Sequence, residues 1–452
     1  MPNLKFCKMK IIKAPYKSWG GIHPRYHKDL AADRALREMP LPELLQISMS
    51  QHLGAPAKPV VKKGDSVMQG TLIGEAAGFI SANVHSPVSG VVKDVVPAIT
   101  LTGAMIDSVV IEPDGEDKRV NDLAPLADWQ AVAKKDLIAR VAAAGVAGMG
   151  GAGFPTHVKL SPPPDKTIDT LIINGAECEP YLTADYRLML ESPERVWLGV
   201  SILRHILGAK TVRIAIEDNK PEAIRAMEQA MRNADGDVAI VELATEYPQG
   251  AEKQQIFAIT GREVPSGGLP MDVGAVVENV GTAAAVFDAV FEGMPLIRRI
   301  TTVTGLPLNA PGNIIAPLGT SYRALIEACG GCADTVKLIS GGPMMGIAQA
   351  IDTVTTTKTT SGLLALGAPD VSLYESMPCI SCGRCVDACP MNLVPSELSQ
   401  FLEAEDYEGA EELHVMDCIE CGCCAFSCPA HRPLVQHMRQ GKARVMLKRK
   451  KK

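Results

Sequence analysis

Three rhythms of apolar and polar positions follow one another along this chain. From about Lys58 to Glu112, β-branched residues come in short bursts: Val60-Val61-Lys62-Lys63-Gly64-Asp65-Ser66-Val67, then Thr71-Leu72-Ile73-Gly74, then Val84-His85-Ser86-Pro87-Val88-Ser89-Gly90-Val91-Val92. Each burst is strand-length and is broken by turn residues, so the segment predicts short strands joined by tight turns. From about Asp136 the period lengthens. Helices are expected over 136–144, 193–207 and 221–231, the second opened by Ser192-Pro193, an N-cap followed by proline. Strands are expected at 170–174, 211–216 and 237–243 between them. This alternation predicts a parallel sheet with helices on its faces. Ligands of such sheets bind beyond the carboxyl ends of the strands, where Asn174 and Asn219 fall. From 300 to 350 strands return on either side of a helix at 321–329, predicting a small α+β module. Thr353 to Gly367 is rich in threonine and small residues and reads as a linker. Pro395 to Leu413 reads as a pair of helices.

Composition narrows the picture. A chain of 452 residues has room for about three domains. Its net charge of −6 gives no reason to expect nucleic acid. No run of about 18 apolar residues occurs, so no span of a bilayer is expected. Met-Pro-Asn-Leu-Lys-Phe is not followed by the apolar core of a signal peptide. The expected place is the cytosol, or a membrane approached from the cytosolic side. Lys442, Arg444 and Lys448 to Lys452 form a basic tail. It reads as a solvated, disordered end, or as a contact for an anionic membrane surface or acidic partner.

Two cysteine runs repeat one spacing: Cys379-x-x-Cys382-x-x-Cys385-x-x-x-Cys389-Pro390 and Cys418-x-x-Cys421-x-x-Cys424-x-x-x-Cys428-Pro429. This is the ferredoxin spacing for two [4Fe–4S] clusters, in which three close thiolates and the last cysteine of the other run hold each cube. One cluster is therefore expected on Cys379, Cys382, Cys385 and Cys428, the other on Cys418, Cys421, Cys424 and Cys389. A zinc site would need only four ligands and no Cys-Pro in each copy. A disulfide framework does not suit a long chain without a signal peptide. Cys423 reads as a spare thiol. Cys329 and Cys332 read as an ordinary helix end, and Cys7 and Cys178 lie apart from the module.

The second informative stretch runs from Gly145 to Lys159, with Gly148, Gly150, Gly151 and Gly153 at its centre. A helix and not a strand precedes it, so the dinucleotide fingerprint lacks its context, and no Gly-Lys-Ser/Thr completes a phosphate loop. What remains is a bend of free backbone N–H groups without side chains. Such a bend suits a phosphate or the face of a flat ring. Lys159 offers a fixed positive charge and Phe154 a ring for stacking.

Several segments then resemble known families. The order Lys63-Gly64-Asp65, His85-Ser86-Pro87-Val88-Ser89-Gly90 resembles the barrel-sandwich of biotinyl and lipoyl carriers, but the tip region 76–82 has no lysine to carry a group. Gly150 to Thr156 with Lys159 resembles the FMN loop of the NADH-oxidising flavoprotein subunit of respiratory complex I. Asn174 to Pro180, Gln249 to Lys253 and Val277 to Thr282 resemble further segments of that flavoprotein, with Ala176, Cys178, Tyr181 and Gln249 departing from its pattern. The whole order, with Trp19-Gly20-Gly21-Ile22-His23-Pro24 at the start, resembles the C subunit of the Rnf electron-transport complex.

That resemblance implies a multidomain α/β protein. Its parts would be an N-terminal domain with the barrel-sandwich at 1–125, an FMN- and NADH-binding α/β domain at 126–298 and a small β-grasp (SLBB-like) module at 299–352. A linker at 353–371, a two-cluster ferredoxin domain at 372–434 and a basic tail at 435–452 would complete it. It implies FMN against Gly148–Gly153 and near Lys159, Asn174 and Asn279 on the ring or ribityl chain, and Glu177 and Glu179 near NAD(H). It also implies a peripheral place on the cytoplasmic face of the inner membrane, sister Rnf subunits as partners, and ferredoxin reached through them. A soluble diaphorase-type flavoprotein and a non-enzymatic iron–sulfur wire are the competing expectations.

Overall fold

The computed structural model describes residues 10–120, 123–151, 153–372 and 374–451; Cys7 lies outside them. The alternating segment forms a five-stranded, all-parallel sheet in the order Lys10–Lys13, Asp237–Leu243, Thr211–Glu217, Thr170–Gly175, Ala275–Asn279. Leu171, Ile172, Ile173, Ile214 and Ile240 are fully buried, as strands covered on both faces require. The helix Pro193–Leu207 starts at its proline and ends at Gly208 in the left-handed region, the asymmetry its sequence carries. The loops after Thr170–Gly175, Asp237–Leu243 and Ala275–Asn279 leave the carboxyl edge of this sheet, and the glycine bend enters from the helix before Thr170–Gly175.

The early β bursts form a sandwich of two antiparallel sheets. One runs Leu45–Ser48, Met105–Pro113, Gly90–Ile99, Ser66–Val67, and the other Lys58–Pro59, Leu72–Glu75, Val84–His85. Leu45, Ile47, Met49, Ile73, Val92 and Val109 fill the space between them. The third sheet has the order Ile347–Gln349, Thr335–Ser340, Gly362–Gly367, Arg298–Thr304, Gly312–Pro317, Arg37–Glu38, with the helix Tyr322–Ala328 packed against it.

In the cysteine module each run ends in a single helical turn, Arg384–Asp387 and Cys423–Phe426. The expected helix pair is Pro395–Glu403 and Tyr407–Glu412.

Three expectations are corrected. The span 353–371 is no linker: it contains Gly362–Gly367, buried along its whole length and paired on both sides in the third sheet. Burial on both faces erased the alternation that marks a half-exposed strand. Of the span 435–452, residues 435–451 are no disordered tail. The helix Leu434–Lys451 seats Leu434, Met438 and Val445 in the module's core, an apolar stripe sparse among the lysines. The span 1–125 is not one domain either. Lys10–Lys13 is the edge strand of the parallel sheet, and Arg37–Glu38 pairs with the third sheet.

The modules meet at Lys358. Its buried Nζ donates to the carbonyls of Gly145 (2.6 Å) and Asn83, and its backbone N–H donates to Gln51 Oε1 at 2.9 Å. This ties the start of the glycine bend to the barrel-sandwich.

Candidate functional site

The glycine bend is pinned at its base and open at its tip. Gly148 N–H donates to the Phe154 carbonyl at 2.8 Å, Thr156 N–H to Val146 at 3.1 Å, and Met149 N–H to Thr282 Oγ1 at 2.9 Å. Gly150 sits at φ 73°, and a Cβ there would lie 3.0 Å from Asn279 Nδ2. Only glycine gives this combination of turn and close approach. A Cβ on Gly151 would meet nothing within 4 Å, so the tip is free to receive a group. Gly153 N–H is not used in the bend's base, and its carbonyl accepts from Leu53 N–H at 3.0 Å. Phe154 is half-buried.

Across from the bend, the ends of two strands deliver polar side chains. Lys159 Nζ donates to Glu252 Oε1 at 3.0 Å and to the Val277 carbonyl at 2.9 Å. Burial alone would lower its pKa, but the carboxylates of Glu278 and Glu252 outweigh that and raise it. Lys159 is thus a cation already matched by carboxylates, with one of its three protons uncommitted. Glu278 is buried and its Oε1 has no hydrogen-bond partner. Burial pushes its carboxyl up to about 7 against the pull of Lys159.

The protein itself occupies most of the bonding capacity of the four other polar residues expected here. Asn174 Nδ2 donates to Gly250 O at 2.9 Å, while its Oδ1 accepts from Ala176 N–H and Gln255 Nε2. Asn279 caps the helix Val280–Phe287 through Gly281 N–H at 2.7 Å and donates to Asp185 Oδ2 at 2.6 Å. Glu177 accepts from the N–H groups of Asp185 (2.9 Å) and Tyr186 (3.3 Å), the first turn of the helix Ala184–Glu191. Glu179 accepts from the N–H groups of Met344 and Met345 in the third sheet's 341–346 loop, at 3.2 and 2.7 Å. Burial raises both carboxyls to about 7. These residues shape the site by holding its loops. Asn219 is not part of it; its Oδ1 accepts from Lys220 Nζ. Cys178 is inert, since burial pushes its thiol up to about 12.

Sequence reasoning assigned no role to Glu252, Glu278, Asp185 or Gln255. The available signals were a carboxylate near the end of the apolar strand Ala275–Asn279, and the place of Glu252 and Glu278 within the segments 249–253 and 277–282 that resemble the flavoprotein. An FMN fits this arrangement: the bend packs on Asn279 through Gly150, and the preceding residue of that strand, Glu278, brings an orphaned buried carboxyl oxygen within the field of the Lys159 ammonium and its spare proton.

The cysteines form two sets. Cys389, Cys418, Cys421 and Cys424 line one cavity. Cys379, Cys382, Cys385 and Cys428 line another. In each, the cysteine before proline has crossed to the other run's triplet. The two runs repeat one backbone course. Ser381 and Glu420, and Gly383 and Gly422, have positive φ at matching positions. The N–H groups of Ser381 and Glu420 each point at the sulfur two residues earlier, both at 3.4 Å. Among the described residues no three His, Cys, Asp or Glu side chains converge on a single ion; each set of four surrounds a space, as a multi-iron cube requires. Cys423 is buried and lines neither cavity.

The first cavity abuts the flavin-site domain. Tyr247 Oη donates to Cys421 O at 2.7 Å, and Gln254 Nε2 to Pro390 O at 2.7 Å. Gly21 N–H donates to Ala388 O, and a Cβ on Gly20 would sit 2.6 Å from the Cys389 carbonyl carbon. Gln254 lies on the helix Glu252–Thr260, which also carries the partner of Lys159.

Comparison with known proteins agrees with this division. Residues 16–116 match the RnfC barrel sandwich hybrid domain, 141–288 the Nuo51 FMN-binding domain, 300–348 the SLBB domain and 378–431 the 4Fe-4S dicluster domain. The C subunit of the proton-translocating ferredoxin:NAD(+) oxidoreductase complex of Clostridium ljungdahlii is 49% identical over 93% of this chain and 92% of its own length. The Na(+)-translocating counterpart of Acetobacterium woodii is 45% identical over 96% and 98%. The C subunit of the ion-translocating oxidoreductase complex of Rhodobacter capsulatus is 46% identical over 94% and 82%. With sandwich, flavin-site sheet, SLBB module and paired cysteine cavities in the same order, this chain belongs to the RnfC family, the C subunits of the ion-translocating ferredoxin:NAD(+) oxidoreductases.

Proposed function

We propose that this chain is the peripheral NAD(H)-facing subunit of a membrane-bound, ion-translocating complex. It exchanges hydride with NAD(H) at a bound FMN and passes single electrons through two [4Fe–4S] clusters, to or from ferredoxin by way of partner subunits. Nicotinamide carries two electrons as hydride and a cluster carries one, so a flavin supplies the conversion between them. The observation that carries the reading is the continuity of the two sites: one helix, Glu252–Thr260, holds Lys159 at its first residue and the Cys389–Pro390 turn at Gln254.

In this reading Gly148, Gly150, Gly151 and Gly153 give the bend that lies against FMN, with Lys159 and Glu278 facing it and Phe154 beside the dinucleotide. Asn174, Asn279, Glu177 and Glu179 hold the loops that enclose both. The eight cysteines hold the clusters as the two sets given above. Among the described residues no helix is long and apolar enough to cross a membrane. In this reading the chain is attached through partner subunits, on the cytoplasmic face of the inner membrane.

The deciding measurement is an anaerobic NADH titration of the purified chain followed by absorbance. Flavin and then iron–sulfur absorption should fall as NADH is added. Protein without iron and sulfide, or whose flavin ignores NADH, would overturn the proposal. Lys159→Ala should lower the flavin content after gel filtration while iron content stays; full flavin retention removes Lys159 from the site.

A further inference from the structure

The two cysteine cavities differ in what covers them. Around the Cys389, Cys418, Cys421 and Cys424 set, the flavin-site domain presses Gly20, Gly21, Tyr247 and Gln254 onto the cysteine loops. Lys442 of the last helix closes another side by donating to Cys418 O at 2.8 Å. The second set has no such cover. Cys382 is the only exposed member of the eight. Among the described residues, the hydrogen bonds of segment 377–385 stay within the cysteine module. Around its mouth stand Tyr374, Met377, Ile380 and Val394, with 63%, 50%, 66% and 39% of their surface exposed. Tyr374 is held flat on His431, ring centroids 3.7 Å apart at 4°. Side chains this apolar, gathered around one opening, mark a contact surface.

We infer that the Cys379, Cys382, Cys385 and Cys428 cavity is the port of this chain. A protein partner carrying its own one-electron centre docks on the Tyr374–Met377–Ile380–Val394 rim, and the other cavity is the internal relay to the flavin site. The inference rests on reading the eight cysteines as holders of two clusters. Each transfer moves one electron between the port's cluster and the partner's centre, in either direction, with no bond made or broken. Electrons cross only where donor and acceptor come close, and the set that holds the exposed Cys382 offers the nearer approach from outside.

The rim also selects among occupants. Along residues 374–397, which carry the rim, Glu375, Asp387 and Glu397 are exposed against Arg384 alone among the described residues, and Glu397 lines the opening itself. A membrane surface attracts basic, not acidic, flanks. A second copy of this chain would bring like charges together. A partner with an apolar centre and a basic margin fits.

The test uses the full chain in cells with its complex intact. A photo-crosslinking residue in place of Met377 should give an adduct with one protein that contains a flavin or an iron–sulfur centre. The same residue in place of Val336, similarly exposed on the third sheet, should not. Adducts only with lipid, with a second copy of this chain or with a protein lacking a redox centre overturn the inference, as do no adduct or equal adducts from both positions. Met377→Glu should keep iron content and NADH-to-dye activity but slow NADH-driven reduction of the native membrane acceptors by about tenfold, as a charge at an interface centre does. Unchanged transfer to the membrane overturns it. Loss of iron in the unaltered chain would instead sink the cluster reading beneath it.

Discussion

Glu278 closes an apolar strand with a carboxyl that has no protein partner on one oxygen. Its pKa is raised by burial to about 7, so the folded chain holds its proton at pH values where the unfolded chain has lost it. By linkage its contribution is fully present below the ordinary glutamate range and is lost as pH rises through about 7. Glu177 and Glu179 act in the same sense. Glu278→Gln should therefore melt at a higher temperature than the parent at pH 8, a gap of at most about 3 kcal/mol, and at nearly the same temperature at pH 4. Equal differences at both pH values would show that its ionisation does not matter to folding. Such carboxyls persist where function needs them. The cysteines were legible because a spacing of three and four residues fixes which thiolates share a triplet. Glu278 was not, because its meaning depends on Lys159 and Glu252, brought to it only by the parallel pairing of distant strands.

At the scale of elements, the parallel strands and their helices were legible because the strands are runs of β-branched and aliphatic residues set between helical segments, and a proline opens Pro193–Leu207. Pro193–Leu207 and Asp237–Leu243 fall on the residues expected. Gly362–Gly367 was missed for the opposite reason. Buried on both sides, it shows only small and aliphatic residues in a threonine-rich stretch. The strand makes a sharp prediction. Leu364→Ala, at a fully buried position, should cost about 2–5 kcal/mol in a denaturant titration. A true linker would tolerate it within about 0.5 kcal/mol. The helix Leu434–Lys451 hid in a similar way behind its charge. Its pairs Lys448–Glu408 and Arg449–Glu411 are exposed and add little; burial of Met438 and Val445 fixes it in place.

At the scale of the molecule, the sequence order of modules is the order found by comparison, but their boundaries interleave. The first described strand lies in the flavin-site sheet, the next short one in the third sheet, and the glycine bend is anchored by Lys358 from far downstream. Short-range pattern names modules well and says little about which segments leave one to complete another. The loops that join flavin site to cysteine cavity depend on this weaving: Glu179 holds Met344 and Met345, while Gly422 packs against Met344.

The edge strand Lys10–Lys13 has a consequence for handling this chain. It is made long before Asp237–Leu243 on the ribosome and must wait until that strand emerges before its backbone finds a partner. An expression fragment beginning after residue 13 leaves the Asp237–Leu243 ladder bare, and bare edges recruit neighbouring chains. Such a fragment should elute from gel filtration as aggregates where the intact chain elutes as a single species. A monodisperse fragment would show that the border strand is ornamental.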